Sequence, residues 1–290
     1  MSELINNSSE RKKRLKTLIL RLHQGEAEEK VREDLLSTLS QIPYGEVVEV
    51  EQELISEGLP EEEVLRLCDA HSAVLHGNVD LSAAKKIPAG HPVDVLINEN
   101  KELRKVVAEI ENLISAISYD SGPVKDTEKF RLTGLFNSLW DVDKHYQRKE
   151  YLLFPYLERQ GITGPPKVMW GKHDEIRELI KGGIELLRSG EITREELVAS
   201  AEIVLLPAAQ GVKDMTTKEE EILFPMALDN LNEADWYAIQ KQSLEIGYCL
   251  YDPRVTWKPE WAQEHILHEL NKNADTVQLP SRSFTIEELL

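Results

Sequence analysis

The chain has 290 residues, 41% of them hydrophobic, which suffices for one large domain or two ordinary ones with a buried core. Its 52 acidic and 34 basic side chains give a formal net charge of −18 at pH 7, a balance that repels phosphate backbones and anionic lipid and argues against nucleic-acid or membrane-surface binding. Two cysteines, Cys68 and Cys249, are too few for a disulfide framework, and neither an apolar signal core nor a run of about 18 apolar residues occurs, so a cytoplasmic protein is expected.

Leu, Glu, Lys and Ala are plentiful, apolar residues recur at three- and four-residue spacing, and alternating β-branched runs are missing, so the fold class expected is all-α. Residues 9–86 read as four or five short helices interrupted at 23–26, 42–46 and 57–63, and form a small helical N-terminal domain over 1–86. "KKIPAGHP" at 85–92 reads as a linker. Four longer helices follow at 92–118, 127–158, 167–189 and 194–228, and their short connections predict an antiparallel four-helix bundle. A further helix at 232–247 is expected to pack outside it, closing a unit at 87–250, while 251–290 reads as a linker or tail leading toward a further domain.

Polar residues that fall on the apolar stripes point to the middle of the bundle, because positions three or four apart share a helix face. On the first helix Asn100 falls in line with Leu96, Leu103 and Val107; on the third, His173 falls in line with Met169, Ile176 and Ile180. "KHYQRKEYLLFP" on the second and "KDMTTKEEEILFP" on the fourth are near copies, aligned on their Phe-Pro pairs. They place His145 and Lys149 opposite Met215 and Glu219, stacked one turn apart. The pattern is a duplicated αα-hairpin.

With these residues in place, 90–228 resembles the hemerythrin-like HHE cation-binding domain, and 9–86 is similar to the helical domain of unknown function 438 that precedes such bundles. The resemblance implies a di-iron centre that takes a His from the first helix of each hairpin and a His-x-x-x-Glu pair from the second. Carried over by position, those places hold Asn100 and His173, His145 and Met215, and Lys149 and Glu219. A protonated Lys149 cannot coordinate a metal. Glu150 and Glu220, one position further on, lie about 100° around the helix and reach the centre only if the helices rotate or bulge.

Four readings of the centre therefore stand side by side. One is a single ion of iron or zinc on His145, His173 and Glu219. Another is haem, with His145 or His173 opposite Met215 as axial ligands. The third is a metal-free polar core in which Lys149 pairs with Glu219 and Asn100 bonds the histidines. The fourth is a dinuclear site that recruits Glu150 and Glu220. His91 is a further candidate ligand, read otherwise as a helix cap; Cys68 with His71, and His265 with His268, share helix faces.

No nucleophile elbow or phosphate-binding loop occurs, so turnover is not the expectation. The function expected is an iron-binding sensor or regulator of small ligands such as O₂ or NO, or of redox state, with a PAS-like regulatory domain as partner. The alternatives are a haem-binding sensor and a metal-free structural or interaction module; the oligomeric state is left open.

Overall fold

The computed structural model describes residues 2–23, 86–120, 122–189, 192–262, 276–279 and 282–285, together with 31, 34, 46, 49–50, 53–54 and 57–58. Helix α1, Ser2–His23, is continuous from its first residue, since neither Gly nor Pro interrupts it. It buries Leu15, Leu18 and Ile19 and turns a basic stripe toward an acidic one, with Arg11 2.6 Å from Glu46 and Lys16 2.8 and 2.6 Å from Glu53 and Glu57. The predicted breaks at 23–26, 42–46 and 57–63 fall mostly outside the described residues. So do Cys68, His71, His76, His265 and His268.

Four antiparallel rods make up the rest. The first is α2, Pro92–Tyr119. The second joins α3 (Asp126–Leu139), α4 (Val142–Gln147), a π-helical stretch Arg148–Leu153 and α5 (Phe154–Arg159). The third is α6, Gly164–Arg188. The fourth joins α7 (Arg194–Ser200), a π stretch Ala201–Leu205, α8 (Leu206–Lys218), a π stretch Glu219–Leu223 and α9 (Phe224–Asn230). Each rod packs on two neighbours, the first and third both touching the second and fourth. Helix α10, Glu233–Ile246, lies outside against the first and second rods.

Local chemistry sets the rod ends. α7 opens on a capping box in which Thr193 accepts from the Glu196 amide at 3.2 Å and Glu196 accepts from the Thr193 amide at 2.9 Å. α10 opens on the same device, built from Asn232 and Asp235. Arg194, nearly buried, donates to the carbonyls of Ile117, Gly122 and Pro123, and so ties the start of the fourth rod to the end of the first. Close approach of the third rod to the second and fourth needs Gly183, where a Cβ would stand 2.7 Å from Phe136 Cε1 and 3.0 Å from Leu205 Cδ2.

The π stretches share one cause. Each ends one residue before an apolar-Pro pair: Phe154-Pro155, Leu206-Pro207 or Phe224-Pro225. Proline has no N–H for the carbonyl four residues back, and its ring pushes that carbonyl away. The ladder loosens accordingly, and the amides of Phe154, Leu206 and Phe224 donate five residues back, to Lys149, Ala201 and Glu219.

The tail carries a feature that the sequence reading did not assign. Strands β1 (Thr276–Leu279) and β2 (Arg282–Thr285) pair as an antiparallel hairpin in register Thr276 with Thr285, within the stretch read as a linker or tail. "TVQLPSRSFT" carries Thr, Val and Phe in two short runs around a Pro-Ser pair, a hairpin signal too brief to register in periodicity. No helix among the described residues is long and apolar enough to cross a membrane.

Candidate functional site

Counting back from each Phe-Pro pair superposes the two return rods, and their π stretches decide what enters the centre. A π turn carries one residue more than an α turn, so adjacent side chains both swing inward. Lys149 and Glu150 are accordingly buried together, at 0% and 2% exposure. Glu219 is wholly buried and Glu220 half-buried. The bulge that periodicity required for Glu150 and Glu220 to turn inward is therefore present.

Five of the candidate residues form one chain of contacts. Glu219 accepts from the Lys149 ammonium on Oε1 and lies 2.8 Å from His145 Nε2 on Oε2. Lys149 Nζ is 2.9 Å from His173 Nε2, and His173 Nδ1 is 2.7 Å from Glu150 Oε1. Burial first, then the Lys149 charge, pulls the His173 pKa well below its ordinary value. His173 is thus a neutral imidazole that donates Nδ1–H to Glu150 and accepts from Lys149. Its ring is stacked 3.9 Å from that of Tyr146 and 6.1 Å from that of Phe154, and with both nitrogens engaged, Nε2 by Lys149 and Nδ1 by Glu150, neither is free as an axial ligand to haem in this arrangement.

Two arginines hold the glutamates, and they too are duplicated. Arg177, four residues after His173, grips both oxygens of Glu150 at 2.9 and 2.8 Å. Arg104, four residues after Asn100, lies 2.9 Å from Glu220. Asn100 itself donates to Glu220 Oε1 at 3.2 Å rather than to a histidine, which corrects the expectation placed on it.

The charges are balanced pair by pair. Burial alone would raise the Glu219 carboxyl, but the Lys149 ammonium and His145 override it and hold its pKa at about 2. Burial lowers the Lys149 pKa, against the pull of Glu219. Each ring nitrogen of His145 faces a carboxylate oxygen, Glu99 at 2.7 Å and Glu219 at 2.8 Å, so each contact needs a proton. Glu99 also accepts from Arg148 and, at 2.7 Å, from the Cys249 amide. The sequence reading missed Glu99 and Arg148, although Glu99 lies three residues after Leu96 and four before Leu103, on the buried stripe.

The remaining candidates stand apart. Met215, at the position of His145, is buried but belongs to the floor of a groove between the third and fourth rods. His91 caps α2, its Nδ1 accepting from the Val93 amide at 3.2 Å, between the rings of Trp236 and Trp257 at 4.8 and 4.7 Å. Burial lowers its pKa to about 4.

A di-iron centre does not fit this donor set, because Asn100, Lys149 and Met215 hold three of its positions. A single ion does not fit the arrangement as it stands either. The Lys149 ammonium already fills the point at which His173 Nε2 and Glu219 Oε1 converge. Among the described residues no group of three or more His, Cys, Asp or Glu is set to hold a metal ion.

Among known families, residues 91–227 match the hemerythrin HHE cation binding domain, and residues 15–81 match a family of unknown function (DUF438). No curated protein matches the chain.

Proposed function

We propose that the chain, which carries a hemerythrin HHE cation binding domain behind a DUF438 domain, is a regulatory module whose bundle is centred on a cation of its own, the ammonium of Lys149. The observation that carries this reading is the wholly buried contact of Lys149 with Glu219 and His173, at positions that the hemerythrin resemblance assigns to metal ligands. Burying a lysine is costly unless it is paired and fully bonded, and here its charge meets a carboxylate, an imidazole lone pair and the Tyr146 ring at 4.6 Å. The central charge is then fixed by the polypeptide, and the bundle serves as a rigid element on which flanking segments are read.

A second reading, a single-ion iron sensor of O₂, NO or redox state, is favoured by Glu219, which contacts His145 through one oxygen and faces His173 through the other across the point that Lys149 occupies. It requires the Lys149 side chain to leave that point. A PAS-like domain as the reader of the signal belongs to either version.

Elemental analysis and absorption spectra of protein purified from iron-supplied cells decide between them. The first reading expects wild-type protein to be folded, colourless and free of stoichiometric metal. About one iron per chain in wild-type protein, with Lys149 intact, would overturn it and establish the second.

A further inference from the structure

The stretch that follows α10 lies outside both family matches, which end at residues 81 and 227. Residues 247–257 contain neither helix nor strand, so their contacts with the bundle set their course. At the near end the Cys249 amide donates to Glu99 at 2.7 Å and the Leu250 amide to Asp141 at 3.0 Å, while the Tyr248 ring lies 5.0 Å from the Arg148 guanidinium. Leu250 has a φ of +54°, a conformation that a leucine holds only where its surroundings impose it. Two bundle carboxylates impose it here, through consecutive amides.

At the far end the Trp257 amide donates to the Gly90 carbonyl at 3.4 Å, and the Trp257 ring lies 4.7 Å from that of His91. The approach is close enough that a Cβ on Gly90, whose φ is +75°, would collide with the Val255 carbonyl. Gly90 and His91 form the joint between the two domains. The match to DUF438 ends at residue 81, that to the bundle begins at residue 91, and His91 caps α2 through the Val93 amide. Asp252 and residues 254–256 are exposed between the two ends, so the stretch crosses the surface as a strap anchored at both.

The near anchor is bonded to the centre. Glu99 accepts from Arg148 on the same oxygen that stands 2.7 Å from His145 Nδ1, and His145 Nε2 is 2.8 Å from Glu219. One carboxylate and one imidazole therefore separate the strap from the carboxylate that pairs with Lys149. Glu99, His145 and Glu219 are all wholly buried, where linked hydrogen bonds polarise one another.

We propose that residues 247–257 are the output strap of the bundle: a displacement of His145 at the centre moves Glu99, the Cys249 amide follows, and the strap passes the movement to the joint at Gly90 and His91. Such coupling gives the regulatory module its output; it rests on that reading and holds for Lys149 or for a metal at the centre. It is also reciprocal, so a change at the joint acts back on the near anchor.

Residue-resolved amide hydrogen exchange of the full chain by NMR tests the coupling in both directions, with the Ile180 amide of the third rod as the reference for global unfolding. Glu99→Gln is nearly isosteric. With its oxygen kept on His145 and Arg148, its NH₂ group faces the Cys249 amide, donor against donor, and the near anchor loses its acceptor. Exchange is expected to rise roughly tenfold at Cys249 and roughly fivefold at Trp257 and Val93, with Ile180 unchanged. Trp257→Leu frees the far anchor and should raise exchange at Cys249 and Leu250 roughly fivefold, again with Ile180 unchanged. A rise confined to the mutated end would overturn the coupling, and so would an equal rise at Ile180, which is a loss of global stability. Should Glu99→Gln fail to fold by circular dichroism, Trp257→Leu decides by the same criteria. Metal content, which decides the identity of the central cation, is measured separately, so the two readings fail independently.

Discussion

Replacing Lys149 by methionine keeps most of the side-chain length and removes the central charge. Glu219, 0% exposed, then holds a buried carboxylate with only His145 beside it at 2.8 Å. Breaking a buried ion pair from one side costs about 3–5 kcal/mol, because the abandoned charge keeps its desolvation penalty. At a urea m-value of about 2 kcal/mol/M this lowers the midpoint by roughly 1.5–2.5 M. Removing the carboxylate as well, in Lys149→Met with Glu219→Gln, takes away both charges and restores part of the loss. The two changes should therefore be non-additive by about 2–3 kcal/mol. Urea unfolding of wild-type protein, both single variants and the double variant, followed by far-UV circular dichroism with chelator present, measures all four corners. Additive effects, or a single-variant loss below about 1 kcal/mol, would refute the view of Lys149 and Glu219 as a coupled buried pair.

Other perturbations give equally definite expectations. Lys149→Glu puts a third carboxylate beside Glu219 and Glu150, so it should lose stability in chelator and regain it on adding Zn(II) or Fe(II), measured as a metal-dependent rise in Tm. His91 is neutral in the fold, with its pKa lowered from 6.5 to about 4, so between these values the unfolded chain binds more protons and stability falls as pH falls. Its contribution to that loss is about 3 kcal/mol in full, and His91→Asn, which keeps an N-cap acceptor, should flatten this part of the stability–pH profile relative to wild type. Gly183→Ala drives a methyl into the buried Phe136 and Leu205 side chains and should cost about 1–3 kcal/mol, read by thermal unfolding.

Much of the bundle was legible because its signals are local. The rods begin at Pro92, Asp126, Gly164 and Arg194, close to where capping residues, prolines and apolar spacing put them. The inward direction of His145, Lys149, His173 and Glu219 followed from a period of 3.6 residues. That same period misplaced Glu150, because three proline-induced π stretches break it; the repeated apolar-Pro pairs were the visible sign of where. Glu99 and Arg148 escaped for a different reason. Charged residues are normally assigned to solvent, and only the fold brings Cys249 and Tyr248 over this pair. The strap of residues 247–257 was likewise hidden, since it depends on where the stretch after α10 lies in space.

The most direct measurement is ¹⁵N-detected NMR of the lysine side chains, with Lys149→Arg to assign the signal. A buried, bonded ammonium at Lys149 predicts one slowly exchanging Nζ resonance, close in space to the His173 ring, that persists at pH 7 and is unmoved by an equivalent of Zn(II). Absence of such a resonance, or its loss as zinc binds stoichiometrically, would contradict the assignment of Lys149 as the cation at the centre of the bundle.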